Sequence, residues 1–324
     1  TGYGRIVRNQ DGHVVAIVEE RDATDEQKAI QEINTGIYVF RADKLFAALE
    51  HVEPDNAQGE YYLTDVIGVL TSQGDRVAAM VAEDADELMG VNDRVQLAGA
   101  EAVARRWVCE RLMREGVSIV DPATTYIDDE VSIGQDTVVL PGTHLVGRCR
   151  IGAECTIGPR AYVEECTLGD GCRVEAGAVL RRSTMGQGCQ LGPNCHVREG
   201  CQFADGVRIG TSTEVVRTTI GAGSRALHFS YLGDAELGED VNIGAGCVTC
   251  NFDGRQKHRT VIESGAFVGS DAILVAPVRI GRGAFVAAGS VITEDVPAGA
   301  LAIARERQST KTDWARRRFQ DRGD

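Results

Sequence analysis

The chain has 324 residues and a mass of 34.7 kDa, room for one large domain or two ordinary ones. Thirty-four basic residues against 48 acidic ones leave a net charge of −14, which argues against nucleic acid or an anionic membrane as the main partner. Hydrophobic residues reach 43% but aromatics only 5%, and 38 residues are glycine, well above the usual ~7%. That balance suits a tightly coiled backbone better than a wide globular core.

No apolar run approaches the ~18 residues that span a bilayer, and no secretory leader is visible. The chain opens on Thr1 rather than Met, so it is expected to be cropped or processed at its start.

Residues 1–92 have the rhythm of an α/β domain with too few strands to complete it. The patterns around Gly12–Val18, Ile37–Phe40 and Arg76–Ala82 predict strands, and those of Ala42–Leu49 and Asp65–Leu70 predict helices. A long run over residues 93–116, stopped by Gly116, predicts a linker helix.

From residue 131 the aliphatic residues recur every six. Ile133, Val139, Leu145, Ile151, Ile157 and Val163 form one series, and Ile262, Val268, Leu274, Ile280, Val286 and Ile292 another. Glycine often follows directly, as in Ile151-Gly152 and Leu191-Gly192. A helix repeats at three and four, an ordinary strand at two. Period six instead predicts a parallel β-helix whose short strands each turn one aliphatic side chain inward. We assign it residues 117–297, with three hexads to a coil. The register breaks between Cys250 and Val261, where residues 251–258 predict an extruded polar loop, a candidate for site building. Residues 298–324 form a tail with seven basic and four acidic residues, suited either to phosphate groups or to a solvated helix around Trp314–Arg318.

Seven of the ten cysteines, among them Cys155, Cys189 and Cys201, follow an inward aliphatic position by four residues, a slot that threonine or alanine fills elsewhere. They read as small packed side chains in a reducing cytoplasm. Cys247-Val-Thr-Cys250 resembles half a zinc site, but no second pair stands at ligand spacing.

Two strings carry a family resemblance: His228-Phe-Ser-Tyr231-Leu-Gly-Asp234, and the run from Glu236 through Asn242, Ala245 and Asn251 to Gly254. Thr1–Ile6, Glu32–Gly36, Gln58–Asp65 and Gly90–Arg94 agree independently. Together they resemble the bacterial GlmU family, bifunctional glucosamine-1-phosphate acetyltransferases and N-acetylglucosamine-1-phosphate uridylyltransferases, across essentially the whole chain. The resemblance implies a left-handed β-helix, a homotrimer with active sites between subunits, acetyl-CoA as cosubstrate, glucosamine 1-phosphate as acceptor, Mg2+ for the uridylyl half, and a cytoplasmic location serving cell-wall precursor supply. It makes His228 the general base, with Arg198, Val216, Tyr231, Asn242 and Glu214 toward the sugar phosphate. Ala245, Asn251, Phe252, Ser270, Ala288 and Arg305 fall toward acetyl-CoA, and Lys257 matches a further family lysine. Gly4, Glu19, Asn34 and Asn92 match sugar-nucleotide positions, Asn92 also a magnesium ligand.

Two departures qualify this. The family's nucleotide-binding loop, catalytic lysine and magnesium-binding aspartate would precede Thr1, so uridylyl transfer is expected to be absent from this chain. Val216 stands where the family has a phosphate-binding lysine, and because strand neighbours face opposite ways, Arg217 is not an automatic substitute. That keeps another amino sugar open as acceptor, beside a non-catalytic trimeric scaffold. A zinc hydratase on the same solenoid would need converging histidines, which His228 and His258 do not offer by spacing.

Overall fold

A computed structural model of the chain describes residues 2–319. The chain forms two compact units, Thr1–Val103 and Ala104–Asp324.

In the first unit, Arg5–Arg8 and Val14–Val18 pair as an antiparallel hairpin. Helices follow at Asp25–Lys28, Ala42–Leu49 and Asp65–Ser72. The first is closed by a capping box between Thr24 and Gln27, which satisfies two otherwise unpaired amides. Ile6, Val14, Ile17 and Ile67 make one small core, and Ala48, Val52, Val66 and Leu70 another. The strands expected at Ile37–Phe40 and Arg76–Ala82 do not form. Their alternation is real, since Tyr38, Phe40 and Val77 pack on the cores while Val39 and Met80 stand 99% and 96% exposed. What is missing is a ladder partner among the described residues, and an extended segment without one is not a strand.

The expected linker helix runs Arg94–Arg114. Gly116, at φ 99°, and Val117 donate to the carbonyls of Met113 and Leu112, closing the helix with a left-handed glycine.

The second unit is a left-handed parallel β-solenoid of about ten coils, with faces of eleven, ten and nine strands. It runs from Ser118 to Ala302, five residues past the boundary expected from the hexads. Each coil visits the eleven-stranded, ten-stranded and nine-stranded faces in turn. Every aliphatic residue of the period-six series is buried, from Ile133 at 9% exposed to Leu145, Val163 and Ile280 at 0%. The glycines that follow are there because consecutive coils nearly touch: a Cβ on Gly244 would stand 2.5 Å from the amide nitrogen of Ser270 in the next coil. Nine cysteines are buried, and burial pushes the Cys195 thiol up to about 12, which suits packing rather than metal binding or nucleophilic attack.

The extruded loop is ordered by its own acid. Phe252 and Lys257 form an antiparallel bridge. Asp253 Oδ1 accepts from the amides of Arg255 (2.7 Å) and Gln256 (2.8 Å), and Oδ2 lies 2.7 Å from His258 Nε2. The Gln256 amide, the His258 ring and the Arg255 amide hold this carboxyl well below the usual carboxylate range.

Two outcomes follow from this packing. Leu180, fully buried, should cost about 2–5 kcal/mol when replaced by alanine, read from urea unfolding. The depressed Asp253 carboxyl contributes fully above its unfolded value of ~3.9 and loses that contribution only as pH falls through its lower folded value. Tryptic cleavage at Lys257, relative to other sites, should therefore be faster in D253N than in wild type at pH 8, where the carboxylate is ionised; equal rates would contradict it.

Candidate active site

Four of the six residues expected toward acetyl-CoA, Ala245, Ser270, Ala288 and Arg305, fall on one line, whereas Asn251 and Phe252 lie at the other edge of the ten-stranded face. The edge between the eleven- and ten-stranded faces carries, coil after coil, His228-Phe229, Ala245, Ser270, Ala288 and Arg305. The rungs are joined by Gly246 N–H donating to Phe229 O (2.8 Å), Asp271 N–H to Ala245 O (2.7 Å) and Gly289 N–H to Ser270 O (2.8 Å). Arg305 Cδ packs beside Gly289. Ser230 Oγ lies 2.8 Å from His228 O and 3.1 Å from Gly244 O, so the base candidate and Ala245 sit in adjacent coils. Among the described residues no hydrogen bond engages the Ala245 N–H. Rungs ~4.8 Å apart make this edge ~19 Å long from His228 to Arg305. His228 and Phe229 are exposed, Phe229 at 61%.

Of the residues expected toward the sugar phosphate, Arg198, Glu214, Val216 and Tyr231 gather toward the opposite edge of the ten-stranded face, and Asn242 does not. Glu214 and Tyr231 are register partners on its outer surface. Arg198 Nη1 donates to Glu214 Oε1 at 3.1 Å. Arg217 donates through Nε and Nη2 to both oxygens of Asp234, at 2.6 and 2.8 Å. Asn251 Nδ2 donates to Asp234 Oδ2 at 2.5 Å and lies 3.4 Å from Tyr231 Oη. The Arg217 guanidinium, aided by the Asn251 amide and by Lys257, holds the Asp234 carboxyl below its ordinary range. Phe252 and Lys257 stand exposed on the loop.

Three expectations change. Val216 is fully buried, so it offers no surface to a ligand; a lysine there would carry its ammonium into a covered position rather than complete a clamp. Asn242, expected toward the sugar phosphate, lies away from that edge: it faces outward on the eleven-stranded face and accepts from Arg225 Nε at 2.7 Å. The alternation argument that set Arg217 aside fails because its strand ends at Val216 and Arg217 adopts φ 46°, outside extended geometry. Asp234, also at positive φ (49°), was missed altogether. A usable signal existed, since opposite charges one coil apart become neighbours: 217 and 234, 198 and 214, 263 and 279.

In the first unit the structure groups three of the four sugar-nucleotide candidates. Asn34 N–H donates to Gly4 O (2.8 Å), its Nδ2 donates to Tyr38 Oη (2.7 Å), and the Glu19 carboxylate lies 3.3 Å from where a Gly4 Cβ would stand. Thr64 Oγ1 donates to Glu19 Oε1 at 3.2 Å. Asn92 instead donates its amide to Gln96 Oε1 at the start of the linker helix. Among the described residues no group of three or more histidine, cysteine or acidic side chains could hold a metal ion. Among the same residues no helix is long and apolar enough to cross a membrane. Residues 320–324 of the basic tail, and Thr1, lie outside the described residues.

Residues 119–231 match the GMPPB C-terminal domain, and residues 259–294 match the bacterial transferase hexapeptide (six repeats). Among solved structures, a UDP-N-acetylglucosamine acyltransferase from Francisella novicida aligns with 57% of this chain and 66% of its own at 16% identity and a TM-score of 0.34, too slight a likeness to carry an argument. The bifunctional protein GlmU of Geobacillus sp. is 51% identical over 98% of this chain and 69% of its own length. That of Exiguobacterium sp. is 50% identical over 98% and 70%. The relatives are longer than this chain, which spans 69% and 70% of them. At this identity and coverage, the chain belongs to the bifunctional GlmU family.

Proposed function

We propose that the chain transfers the acetyl group of acetyl-CoA to the 2-amino group of glucosamine 1-phosphate, as a step toward UDP-N-acetylglucosamine. The observation that carries this reading is the straight edge of small residues, with His228 at one end and Arg305 at the other. A long thioester cosubstrate laid along Ala245, Ser270 and Ala288 puts its acetyl group by the histidine and its phosphates by the arginine. Bulky side chains would block such a path, and a scaffold would have no need of it.

The chemistry uses this chain's own groups. The amine must be unprotonated to attack, and His228 accepts the proton it loses as the new C–N bond forms. Negative charge then develops on the thioester oxygen, where the uncommitted Ala245 N–H is a fixed donor. Collapse breaks the C–S bond, and the departing thiolate takes the proton back from His228. Arg198, steered by Glu214, faces the sugar phosphate together with Tyr231 and Lys257.

The two half-sites lie on opposite edges of one face, which favours a homotrimer in which a neighbouring copy brings its own edge alongside. The outward column Val248, Ile273 and Val291 gives that face an apolar stretch to bury. A cytoplasmic location suits both acetyl-CoA and the inward cysteines. Gly4, Glu19 and Asn34 we assign to a uridine-diphospho-sugar, the second substrate class of the family.

Release of CoA with glucosamine 1-phosphate as acceptor tests the assignment directly; acceptance of another amino sugar in its place would move that rival ahead. His228→Ala should lower kcat by ~10²–10⁴. Because His228 is exposed, its thermal midpoint should stay put; near-normal kcat at pH 7 would remove His228 as base. Ala245→Leu should raise KM for acetyl-CoA about 10-fold while moving KM for the sugar phosphate far less.

A further inference from the structure

We propose that Arg217, clamped by Asp234, is the second phosphate-binding cation of this site and sets its preference for phosphorylated acceptors. The proposal rests on the acetyltransferase reading above and deepens it. The family's lysine position is filled by a buried valine, so charge for a dianionic group must come from elsewhere. Arg217 is the next residue, and its left-handed backbone releases it from strand alternation.

Its surroundings are those of a prepared ligand group. Asp234 grips the guanidinium by Nε and Nη2 only, leaving Nη1 without a partner among the described residues. The same carboxylate holds Asn251, which lies 3.4 Å from Tyr231 Oη. Tyr231 and Glu199 both act electrostatically on Arg198 and on Arg217, so the two guanidiniums border a common patch. Arg198 is oriented by Glu214 and Arg217 by Asp234. Each carboxylate fixes an orientation that an unpaired arginine would have to adopt at an entropic cost, and a planar fork with donors left over suits phosphate oxygens. Asp234 also anchors the extruded loop at both ends: its side chain takes Asn251, and its carbonyl accepts from Thr260 N–H at 3.3 Å. The clamp and the loop bearing Lys257 thus share one support.

The experiment compares wild type, Arg217→Gln and Arg217→Lys in two assays. Calorimetry measures binding of glucose 1-phosphate, which has the phosphate but no amine to acetylate. Steady-state kinetics measure acetyl transfer to glucosamine 1-phosphate and to glucosamine. R217Q should weaken glucose 1-phosphate binding and raise KM for glucosamine 1-phosphate by ~10-fold or more. KM for acetyl-CoA and kcat/KM for glucosamine should be unchanged, and R217K should recover part of the loss. Equal loss with glucosamine, or unaltered glucose 1-phosphate binding in R217Q, overturns the proposal. Should R217Q fail to fold, the uncharged Arg217→Met takes its place in both assays, and glucose 1-phosphate binding equal to wild type overturns the proposal. A wild-type chain that binds glucose 1-phosphate through Arg217 yet transfers no acetyl group would sink the acetyltransferase reading and leave the phosphate site standing.

Discussion

Everything in the second unit depends on the parallel hydrogen bonding of each coil to the next. Amides such as those of Gly152, Gly169 and Gly186 donate to carbonyls one coil on, at 2.8–2.9 Å. One inward aliphatic side chain per strand fills the narrow interior, and residues too close to the neighbouring backbone must be glycine. The result is a rigid lattice in which sequence separation converts into position: in most coils seventeen or eighteen residues along the chain become one rung in space, and 25 where the loop is inserted. A functional group on such a lattice needs no long-range packing to place it, only the right offset.

That conversion explains how the site is divided. The chain turns from the eleven- to the ten-stranded face at one edge and from the ten- to the nine-stranded face at the other. Small residues line the first edge, and paired charges crowd the second. At the charged edge the pairing is one of orientation more than of stability, because ion pairs as exposed as Arg198 with Glu214, near 40% on each side, contribute little to folding. Their effect is to aim guanidinium groups outward at a fixed angle.

Much of this was legible in the sequence, and the exceptions have identifiable causes. Period six exposed the solenoid and its inward aliphatic positions between Ile133 and Ile292, though not the inward Thr249, which is not aliphatic. The alternation at Ile37–Phe40 and Arg76–Ala82 reported correctly which side chains pack, but not whether a neighbouring strand was present to make a ladder. Val216 was read as a ligand contact because a linear motif says nothing about what covers a corner residue. Arg217 and Asp234 were set aside or missed because positive φ in residues other than glycine is invisible to pattern rules. Counting charges one coil apart would have recovered both.

The edge of small residues has a further property: it can change length only in whole steps. Residues added at a corner are absorbed there, as the loop at 251–258 is, but the number of rungs changes only by deletion or duplication of an entire coil. The distance between His228 and Arg305 therefore behaves like a ruler with marks ~4.8 Å apart. A solenoid of this kind can be retuned for a shorter or longer cosubstrate by gaining or losing one mark, but has no means of adjusting by a fraction of it.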